Sequence, residues 1–427
     1  MKIRSILIVL MVAAAAVIIP GLLPASTPGS YPDPARLGPV PDTGAAITLF
    51  QGRVAVDPNP INLTLLAQLE ARRSRETGDV AELAKAAAAL DEALAEQPNY
   101  APAVVTLASV YSALHRFDEA VITARKAQGL DPRLGALGLV GDVLVATGDY
   151  QGGAAAYSEL AATSSSPGLA ARLAHLDELS GQVEEAIFEM EGAAADNLDS
   201  GGVGEEAAWF QVRLGDLNFS IGRLAEADRR YRAGLTLFSG YWSALAGRAK
   251  VSAARGDLEH AIELYESAAA AVPRPEIMIA LGDLYTLTGE FDLAADRYAT
   301  VNVIAQLAGG VYDRTLALFL AEHGQAQEAL ALAQKGLEVR RDIYGYDTLA
   351  WALYHLGRPF EAREAMDRAL ALGTRDTQLW FHSGAISLAL GDKERAAADL
   401  AAALGLNRNF HPLHSDEAAL MLEEARS

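Results

Sequence analysis

Two histidines and two carboxylates lie close together near the end of this 427-residue chain: His411, His414, Asp416 and Glu417. Imidazole nitrogens and carboxylate oxygens are common ligands of Zn²⁺ and related ions, so this cluster is the most concentrated candidate metal site in the sequence. Pro412 lies between the histidines and disfavours the regular helix that would place both rings on one face. The sequence therefore favours ordinary terminal polarity here, and it predicts no metal and no other cofactor.

The chain lacks the residue patterns of common hydrolytic and nucleotide chemistry. It has no cysteine, no H-E-x-x-H zinc motif, no G-x-S-x-G nucleophile elbow and no phosphate loop ending in Gly-Lys-Ser/Thr. Its 55 acidic residues against 35 basic ones give a formal charge of −20, which repels phosphate backbones and argues against nucleic-acid binding. No carboxylate pair is singled out as an acid and a base, so we predict that the protein is not an enzyme.

The N-terminus has the features of an export signal. Lys2 and Arg4 precede an uncharged apolar run over residues 6–19. The run is at the upper limit for a cleavable signal peptide and, counted with the two leucines that follow, just long enough to span a membrane. Residues 1–25 are therefore predicted to be a signal peptide or a signal-anchor helix.

The charge around this segment predicts where the rest of the chain lies. The positive flank stays in the cytoplasm and the following residues are translocated, which predicts an extracytoplasmic bacterial protein that is membrane-anchored, periplasmic or secreted. Residues 26–60 are rich in Pro, Gly, Ser and Thr and are predicted to be a linker without regular structure.

A repeated helical pattern follows the linker. Half of the chain is hydrophobic, but only 7% is aromatic and Ala with Leu dominates the apolar residues, which favours helices over sheets. Ten turn positions recur at intervals of 33 to 41 residues. Each is predicted to end a first helix with a positive φ angle, and an Asp just behind several of them is predicted to cap a second helix. The ten positions are Gly78, His115, Gly148, Gly181, Gly222, Gly256, Gly289, Gly324, Gly357 and Gly391.

Other residue types recur in phase with these turns. Upstream of the turn, the first helix carries Leu or Val followed by a small residue, as in Leu214-Gly215. Nine residues after the turn most units have a bulky apolar residue, such as Tyr231. These intervals follow helical spacing, so each unit is predicted to be a helical hairpin. Five residues after the turn, where two helices must approach closely, stand Ala120, Gly153, Ala186, Ala227, Ala261, Ala294, Ala329, Ala362 and Ala396.

The pattern resembles the tetratricopeptide repeat, which has small residues at unit positions 8 and 20, an aromatic near 24 and a proline at 32. Pro132 and Pro273 supply that proline, whereas Arg408 replaces it in the last full unit. The resemblance implies an all-α, right-handed superhelical α-solenoid of about ten helix-turn-helix units over residues 61–410, closed by a capping helix over residues 411–427.

Short stretches also resemble a family of exported bacterial tetratricopeptide proteins of uncertain role, which implies export but no reaction. These stretches are residues 75–79, 205–210, 347–354 and 379–386.

Partners of such solenoids usually lie on the concave face formed by the first helices. The tetratricopeptide register assigns this face to unit positions 2, 5, 9 and 12, with 13 at its edge. Aromatic residues with polar tips at these positions are predicted anchors for a partner, but a register error of one residue would make them core residues. The predicted groove residues are Tyr344, Asp347, Trp351, Tyr354, His355, Phe381, Trp209, Asp216 and Phe219.

Two features of the array bear on the kinds of partner that it could bind. No asparagine stands at position 9 of any unit, so the carboxylate clamp of the chaperone-binding members of the family is absent. Residues 196–206 are acidic and glycine-rich, and are predicted to be a flexible loop first and a partner or cation site second. Trp209 has the alternative role of covering this loop.

The sequence thus predicts a non-enzymatic exported scaffold or adaptor. It would bind a protein or peptide in its concave groove and assemble or localise a complex outside the cytoplasm, with its N-terminal segment in contact with the membrane. Two alternatives stay open. One is a structural spacer in which the chain associates with itself as a homo-oligomer, and the other is a small-ligand or metal carrier that uses the acidic surface and the terminal histidines.

Overall fold

The computed structural model describes residues 42–307 and 310–427. The predicted signal or anchor segment, residues 1–25, lies outside these ranges. Over the described residues the chain forms 22 α-helices and one short 3-10 helix, Pro132–Leu134, and no strand. The helices are α1 (Thr43–Val56), α2 (Pro60–Thr77), α3 (Val80–Glu96), α4 (Ala101–Ala113), α5 (Phe117–Leu130), α6 (Ala136–Ala146), α7 (Tyr150–Ala161), α8 (Pro167–Leu179), α9 (Val183–Asp199), α10 (Gly204–Ser220), α11 (Leu224–Leu237), α12 (Trp242–Ala254), α13 (Leu258–Ala271), α14 (Pro275–Thr288), α15 (Phe291–Leu307), α16 (Asp313–Glu322), α17 (Ala326–Val339), α18 (Ile343–His355), α19 (Pro359–Ala369), α20 (Thr377–Ala389), α21 (Lys393–Leu406) and α22 (His414–Arg426).

Twenty of these helices form ten helical hairpins, from unit one (α2 and α3) to unit ten (α20 and α21). All ten predicted turn positions have a positive φ angle, between 58° and 93°. His115, at 58°, is the only residue other than glycine with a positive φ in the described part of the chain. The predicted all-α solenoid of about ten units is therefore confirmed.

Aspartates cap several second helices, as the sequence predicts. The carboxylates of Asp149, Asp257 and Asp392 accept a backbone N–H from the first turn of α7, α13 and α21 respectively. Each carboxylate satisfies a backbone donor that has no partner within the helix, which stabilises the start of the second helix by about 1 kcal/mol.

Small residues hold the two helices of a unit together. All nine predicted small positions are buried. In unit five the Tyr231 ring lies over Gly215, where a Cβ would be 2.4 Å from the ring, and the Tyr231 hydroxyl donates to Asp216 at 2.8 Å. Units three and seven repeat this Gly-Asp and Tyr arrangement, with hydroxyl-to-carboxylate distances of 2.8 and 2.7 Å. The second helix is therefore fixed to the first by packing and by one charge-assisted hydrogen bond.

The array coils until its later units lie against its earlier ones. The turn of unit three contacts the segment after unit eight, where Arg341 donates its N–H to the Thr147 carbonyl at 3.2 Å and Ile343 donates its N–H to the Tyr150 hydroxyl at 2.9 Å. The turn of unit four lies against Gly373, after unit nine. Units three to five are thus covered along one edge by the segments that follow units eight to ten.

The linker predicted over residues 26–60 differs from the structure in its second half. Residues up to 41 are outside the described range, but Thr43–Val56 forms α1 and α2 already begins at Pro60. The Asp42 carboxylate caps α1 by accepting the Ala45 N–H, and Ile47 and Phe50 are buried against the leucines of α2. Tertiary burial of this short apolar stripe outweighs the Pro- and Gly-rich composition of the surrounding segment.

Two further boundaries differ in detail. The irregular loop predicted over residues 196–206 is short, because α9 continues to Asp199 and α10 begins at Gly204. The capping segment predicted over residues 411–427 forms α22, in which Ala418 and Ala425 are buried. Leu420, on the same helix, is 68% exposed.

Candidate functional site: the concave groove of units seven to ten

The first helices of units seven to ten, α14, α16, α18 and α20, form an aromatic and titratable surface that we call the concave groove. Trp351 on α18 lies at its centre and is 3% exposed. Its indole N–H donates to a Glu322 carboxylate oxygen at 3.0 Å, and its ring stacks on His382 with a centroid distance of 3.8 Å. Tyr354 also stacks on Trp351, with a centroid distance of 4.9 Å. The rings are therefore fixed by contacts between neighbouring units.

His382 on α20 links units nine and ten. It is fully buried, and its Nδ1 lies 2.7 Å from the Asp347 carboxylate on α18. Its Nε2 is buried without a hydrogen-bond partner among the described residues. A buried polar nitrogen without a partner is costly, so this edge of the imidazole is a place where a ligand atom could gain a hydrogen bond.

The groove is occupied by the chain itself. Residues 407–417, which we call the terminal segment, follow α21, run along the concave face in turns and include the first four residues of α22. Phe410 lies 5.7 Å from the Phe381 ring, and His414 stacks on the same ring at 5.1 Å. His411 stacks on His414 at 4.3 Å. Phe381, a predicted anchor, is thus 0% exposed.

The two terminal histidines point at carboxylates of the groove. His411 Nε2 lies 3.6 Å from an Asp283 oxygen on α14, and His414 Nε2 lies 3.7 Å from a Glu322 oxygen on α16. Burial raises the pKa of Glu322 to about 7 and that of Asp283 to about 6. Burial also lowers the pKa of His411 to about 4 and that of His414 to about 2. The histidines are therefore neutral at pH 7, and these contacts are weaker than ion pairs would be.

The structure places the other predicted groove residues of units nine and ten as follows. Asp347 is buried and held by His382, whereas Tyr344 and Tyr354 are half-buried. The residue His355 is exposed overall, but partial burial of its imidazole, together with the nearby His382, lowers its pKa to about 4. Tyr344 is separated from the aromatic cluster and lies in the contact between successive turns of the solenoid, with the Arg314 guanidinium 5.2 Å from its ring centroid.

The three predicted residues of unit five lie elsewhere. Trp209 and Phe219 are buried, and Trp209 packs edge-on to the Phe210 ring at 5.2 Å. Asp216 is half-buried and accepts the Tyr231 hydroxyl. These residues do not join the groove cluster around Trp351, and their contacts are those of core side chains.

Sequence reasoning missed three functional-site residues, His382, Glu322 and Asp283. His382 stands at unit position 6, which the repeat register does not assign to the concave face. Asp283 and Glu322 are at positions 9 and 13, but nothing in the sequence distinguished them from the other carboxylates. The useful signal would have been the pairing of position-9 and position-13 acids with the histidines that follow the last unit.

A second space lies between successive turns of the solenoid. It is a cavity of about 120 Å³ between units two to four on one side and units eight and nine on the other. Two of its lining residues form a hydrogen bond, in which Arg340 donates to Asp342 at 3.0 Å. Its polar lining residues include Asp142, Tyr150, His175, Arg314 and Arg340.

No group of three or more His, Cys, Asp or Glu residues in the described part of the chain has an arrangement that could hold a metal ion. No helix within residues 42–307 and 310–427 is both long enough and apolar enough to cross a bilayer.

Stacked helical hairpins with a concave face define the class of α-solenoid repeat proteins. Three family models described as tetratricopeptide repeat match the chain, and their ranges together cover more than half of it. The chain belongs to the tetratricopeptide repeat family, whose repeats generally serve as scaffolds for protein interaction. No curated protein matches it significantly. The matched ranges are residues 101–134, 212–274, 248–301, 314–348 and 348–409.

Several solved structures share this fold. Yeast Tom70 is 14% identical, with 90% of this chain and 92% of that chain covered and a TM-score of 0.38. The human IFIT1 dimer with m7Gppp-AAAA is 15% identical, with 77% of each chain covered and a TM-score of 0.47. A tetratricopeptide repeat protein from Parabacteroides merdae is 18% identical, with 64% of this chain and 99% of that chain covered and a TM-score of 0.34. These likenesses concern the fold alone.

Proposed function

We propose that this protein is a non-enzymatic scaffold that binds a short segment of a partner protein in the concave groove of units seven to ten. The observation that carries the proposal is that polypeptide already lies there. Phe410 and His414 stack on Phe381, and two imidazoles approach two carboxylates. The groove therefore has the chemistry to take a short polypeptide segment by aromatic stacking and polar contacts.

The groove also favours a particular kind of partner segment. Its wall carries Asp283 and Glu322, Glu417 lies at its edge, and the whole chain has a formal charge of −20. Electrostatic complementarity favours a segment with weakly basic or hydrogen-bond-donating side chains next to an aromatic residue. A strongly acidic segment would be repelled both at long range and within the groove.

We place this scaffold outside the cytoplasm of a bacterium. The support is in the N-terminal sequence, where Lys2 and Arg4 precede an apolar run of the length that export signals and signal anchors share. An uncleaved segment would hold the solenoid at the membrane surface, and a cleaved one would release it. In either case the groove meets extracytoplasmic proteins.

Partner capture from membranes tests the proposal. Full-length protein is purified from its membranes with bound partners, either unaltered or with Lys250→Glu or His355→Glu, which change exposed residues beside the groove. Lys393→Glu, an equally exposed residue at the start of α21, is the matched control. We expect both groove variants to retain more of the captured partner than the control, because each adds a carboxylate beside a groove that favours basic side chains. Identical partner profiles in all four proteins would contradict a role for the groove.

One observation favours self-association as a second candidate function. The turn glycines of units three to five each lie against a later segment of the chain, whereas no outside atom of the described residues is within 4 Å of the Cβ position at the turn glycines of units six to ten. Around the turn of unit seven, Leu287, Phe291 and Leu293 are 43%, 67% and 39% exposed. A second copy of the chain could continue the turn-on-segment contact at this free edge.

Light scattering separates this candidate from the first. Self-association predicts that the mass of the full-length protein rises at micromolar concentration and that Phe291→Glu abolishes the rise. Phe188→Glu, which alters a similarly exposed phenylalanine on α9, would leave the mass unchanged. A wild-type monomer over this range would eliminate the spacer role.

A further inference from the structure

We propose that the terminal segment is an intramolecular ligand that blocks the concave groove, so that a partner protein binds only by displacing it. The inference rests on the proposed function, because it concerns the regulation of the same groove. It assigns to residues 407–417 a role distinct from that of residues 418–426 of α22, which cap the end of the solenoid.

The terminal segment is held in a defined path. At its start, the Asn407 side-chain amide donates to the Phe219 carbonyl on α10 at 2.7 Å, so the segment is anchored to an earlier turn of the solenoid. From there it enters the groove, where His411 meets α14, His414 meets α16 and Phe410 meets α20. One short stretch of chain therefore touches the first helices of three different units.

The conformation of the segment is set before it meets the groove. The Nδ1 atom of His411 accepts the backbone N–H groups of Leu413 and His414 at 3.2 and 3.4 Å. In the neutral imidazole the proton is therefore on Nε2, the atom that faces Asp283. A local turn thus presents an N–H to a groove carboxylate, which reduces the conformational entropy lost on docking.

The polar part of this contact is weak enough to be exchanged. The imidazole-to-carboxylate distances of 3.6 and 3.7 Å exceed those of good hydrogen bonds, and the His382 Nε2 has no partner among the described residues. An external segment that hydrogen-bonds to Asp283, Glu322 and His382 would therefore gain contacts that the resident segment does not make. The terminal segment therefore fills the groove but leaves some of its hydrogen-bonding groups without a good partner.

The capping and blocking surfaces are separate in the structure. The helix α22 packs through Ala418 and Ala425, which are 0% and 6% exposed, and through Met421 and Leu422. The blocking contacts belong to Phe410, His411 and His414, upstream of those residues. Substitutions in the blocking residues can therefore release the groove while α22 stays packed on α21.

Tethering gives the segment its advantage over a free peptide. A short flexible connection gives an effective concentration in the millimolar range, so the resident segment outcompetes a free peptide of the same sequence at micromolar concentration. Weakening the contacts of the terminal segment with the groove should uncover the groove. The same peptide then becomes a probe for the open groove.

The experiment measures binding of a fluorescent peptide with the sequence of residues 407–417 to the full-length protein. The unaltered protein is compared with a Phe410→Ala, His414→Ala double variant and with Leu420→Ala, a control at an exposed residue of α22. We expect the double variant to bind the peptide at least tenfold more tightly than the other two proteins. Equal affinity for all three, or no binding to any of them, would overturn the proposal.

Hydrogen exchange of the unaltered protein is a second test that needs no variant. The amides of residues 408–413 should exchange by a local opening that is faster than the opening of α18 and α20. Exchange of the segment only together with α18 and α20 would show that it is a fixed part of the core, which would overturn the proposal.

Failure of this inference is distinguishable from failure of the proposed function. If blocking is wrong but the groove binds partners, the Lys250→Glu variant still retains more partner than the control while the peptide shows no preference for the double variant. If the groove binds nothing, the partner profile is insensitive to Lys250→Glu as well.

Discussion

The contact between successive turns of the solenoid can be tested by one added methyl group. Gly148 has a φ of 93°, and a Cβ placed there would lie 2.3 Å from the Arg341 carbonyl oxygen. Gly256 has a similar φ of 80°, but no outside atom of the described residues lies within 4 Å of its Cβ position. Gly148→Ala and Gly256→Ala therefore share the cost of a left-handed alanine and differ in the clash.

The expected difference follows from the hydrogen bonds at that contact. A left-handed alanine costs about 1 to 2 kcal/mol at either site. At Gly148 the Arg341 carbonyl must also move by roughly 1 Å to reach an ordinary van der Waals distance, which breaks the Arg341-to-Thr147 and Ile343-to-Tyr150 hydrogen bonds. At about 1 kcal/mol each, these add about 2 kcal/mol for Gly148→Ala alone.

Hydrogen exchange at single residues measures this difference. An extra 2 kcal/mol corresponds to roughly thirtyfold faster exchange of the Arg341 and Ile343 amides in Gly148→Ala, because every 1.4 kcal/mol is a factor of ten. Gly256→Ala should leave these two amides as protected as in the wild type. Equal protection in both variants would refute the contact between units three and eight.

Three further predictions concern the groove. Burial raises the pKa of Glu322 to about 7, so the folded state holds its proton and loses stability as the pH rises from about 4.5 through 7. Glu322→Gln should match the wild type at pH 4 and be more stable by about 3 kcal/mol at pH 9. Calorimetric melting curves that differ by the same amount at both pH values would contradict this. Burial lowers the pKa of His411 to about 4, so stability that is present above its unfolded pKa near 6.5 is lost as the pH falls through 4. NMR should find the His411 ring neutral at pH 5.5. A titration midpoint near 6.5 would disprove the burial of this ring between Asp283 and His414. Phe381→Ala should lower the stability of the groove region by about 3 to 5 kcal/mol. Because the contact between Phe381 and Phe410 is then lost, proteolysis within the terminal segment should become faster. Unchanged proteolysis would show that the terminal segment does not depend on Phe381.

The turns and the inter-helix contacts could be predicted because they depend on local rules. A left-handed residue at each turn and a small residue five positions later are requirements of every hairpin, so spacing alone located them, including His115 where glycine is missing. Helix α1 was missed because its stability comes from burial of Ile47 and Phe50 on α2 and not from local propensity. A linker boundary that is drawn from composition alone cannot take that contact into account.

The candidate site was predicted only in part. Spacing brought Asp347, Trp351 and Tyr354 to one face of α18, and the structure places all three in or beside one cluster. The spacing of residues in the sequence could not show that Phe410 and His414 cover that cluster, because this contact depends on how the solenoid coils. The terminal histidines therefore looked like possible metal ligands or solvated side chains and not like groove residues.

Hydrogen-exchange footprinting of the protein with a captured partner tests the central claim most directly. If a partner segment replaces the terminal segment in the concave groove, the amides of α14, α16, α18 and α20 should become more protected while those of residues 408–413 exchange faster than in the free protein. Protection confined to the second helices of the units, with residues 408–413 unchanged, would contradict the claim.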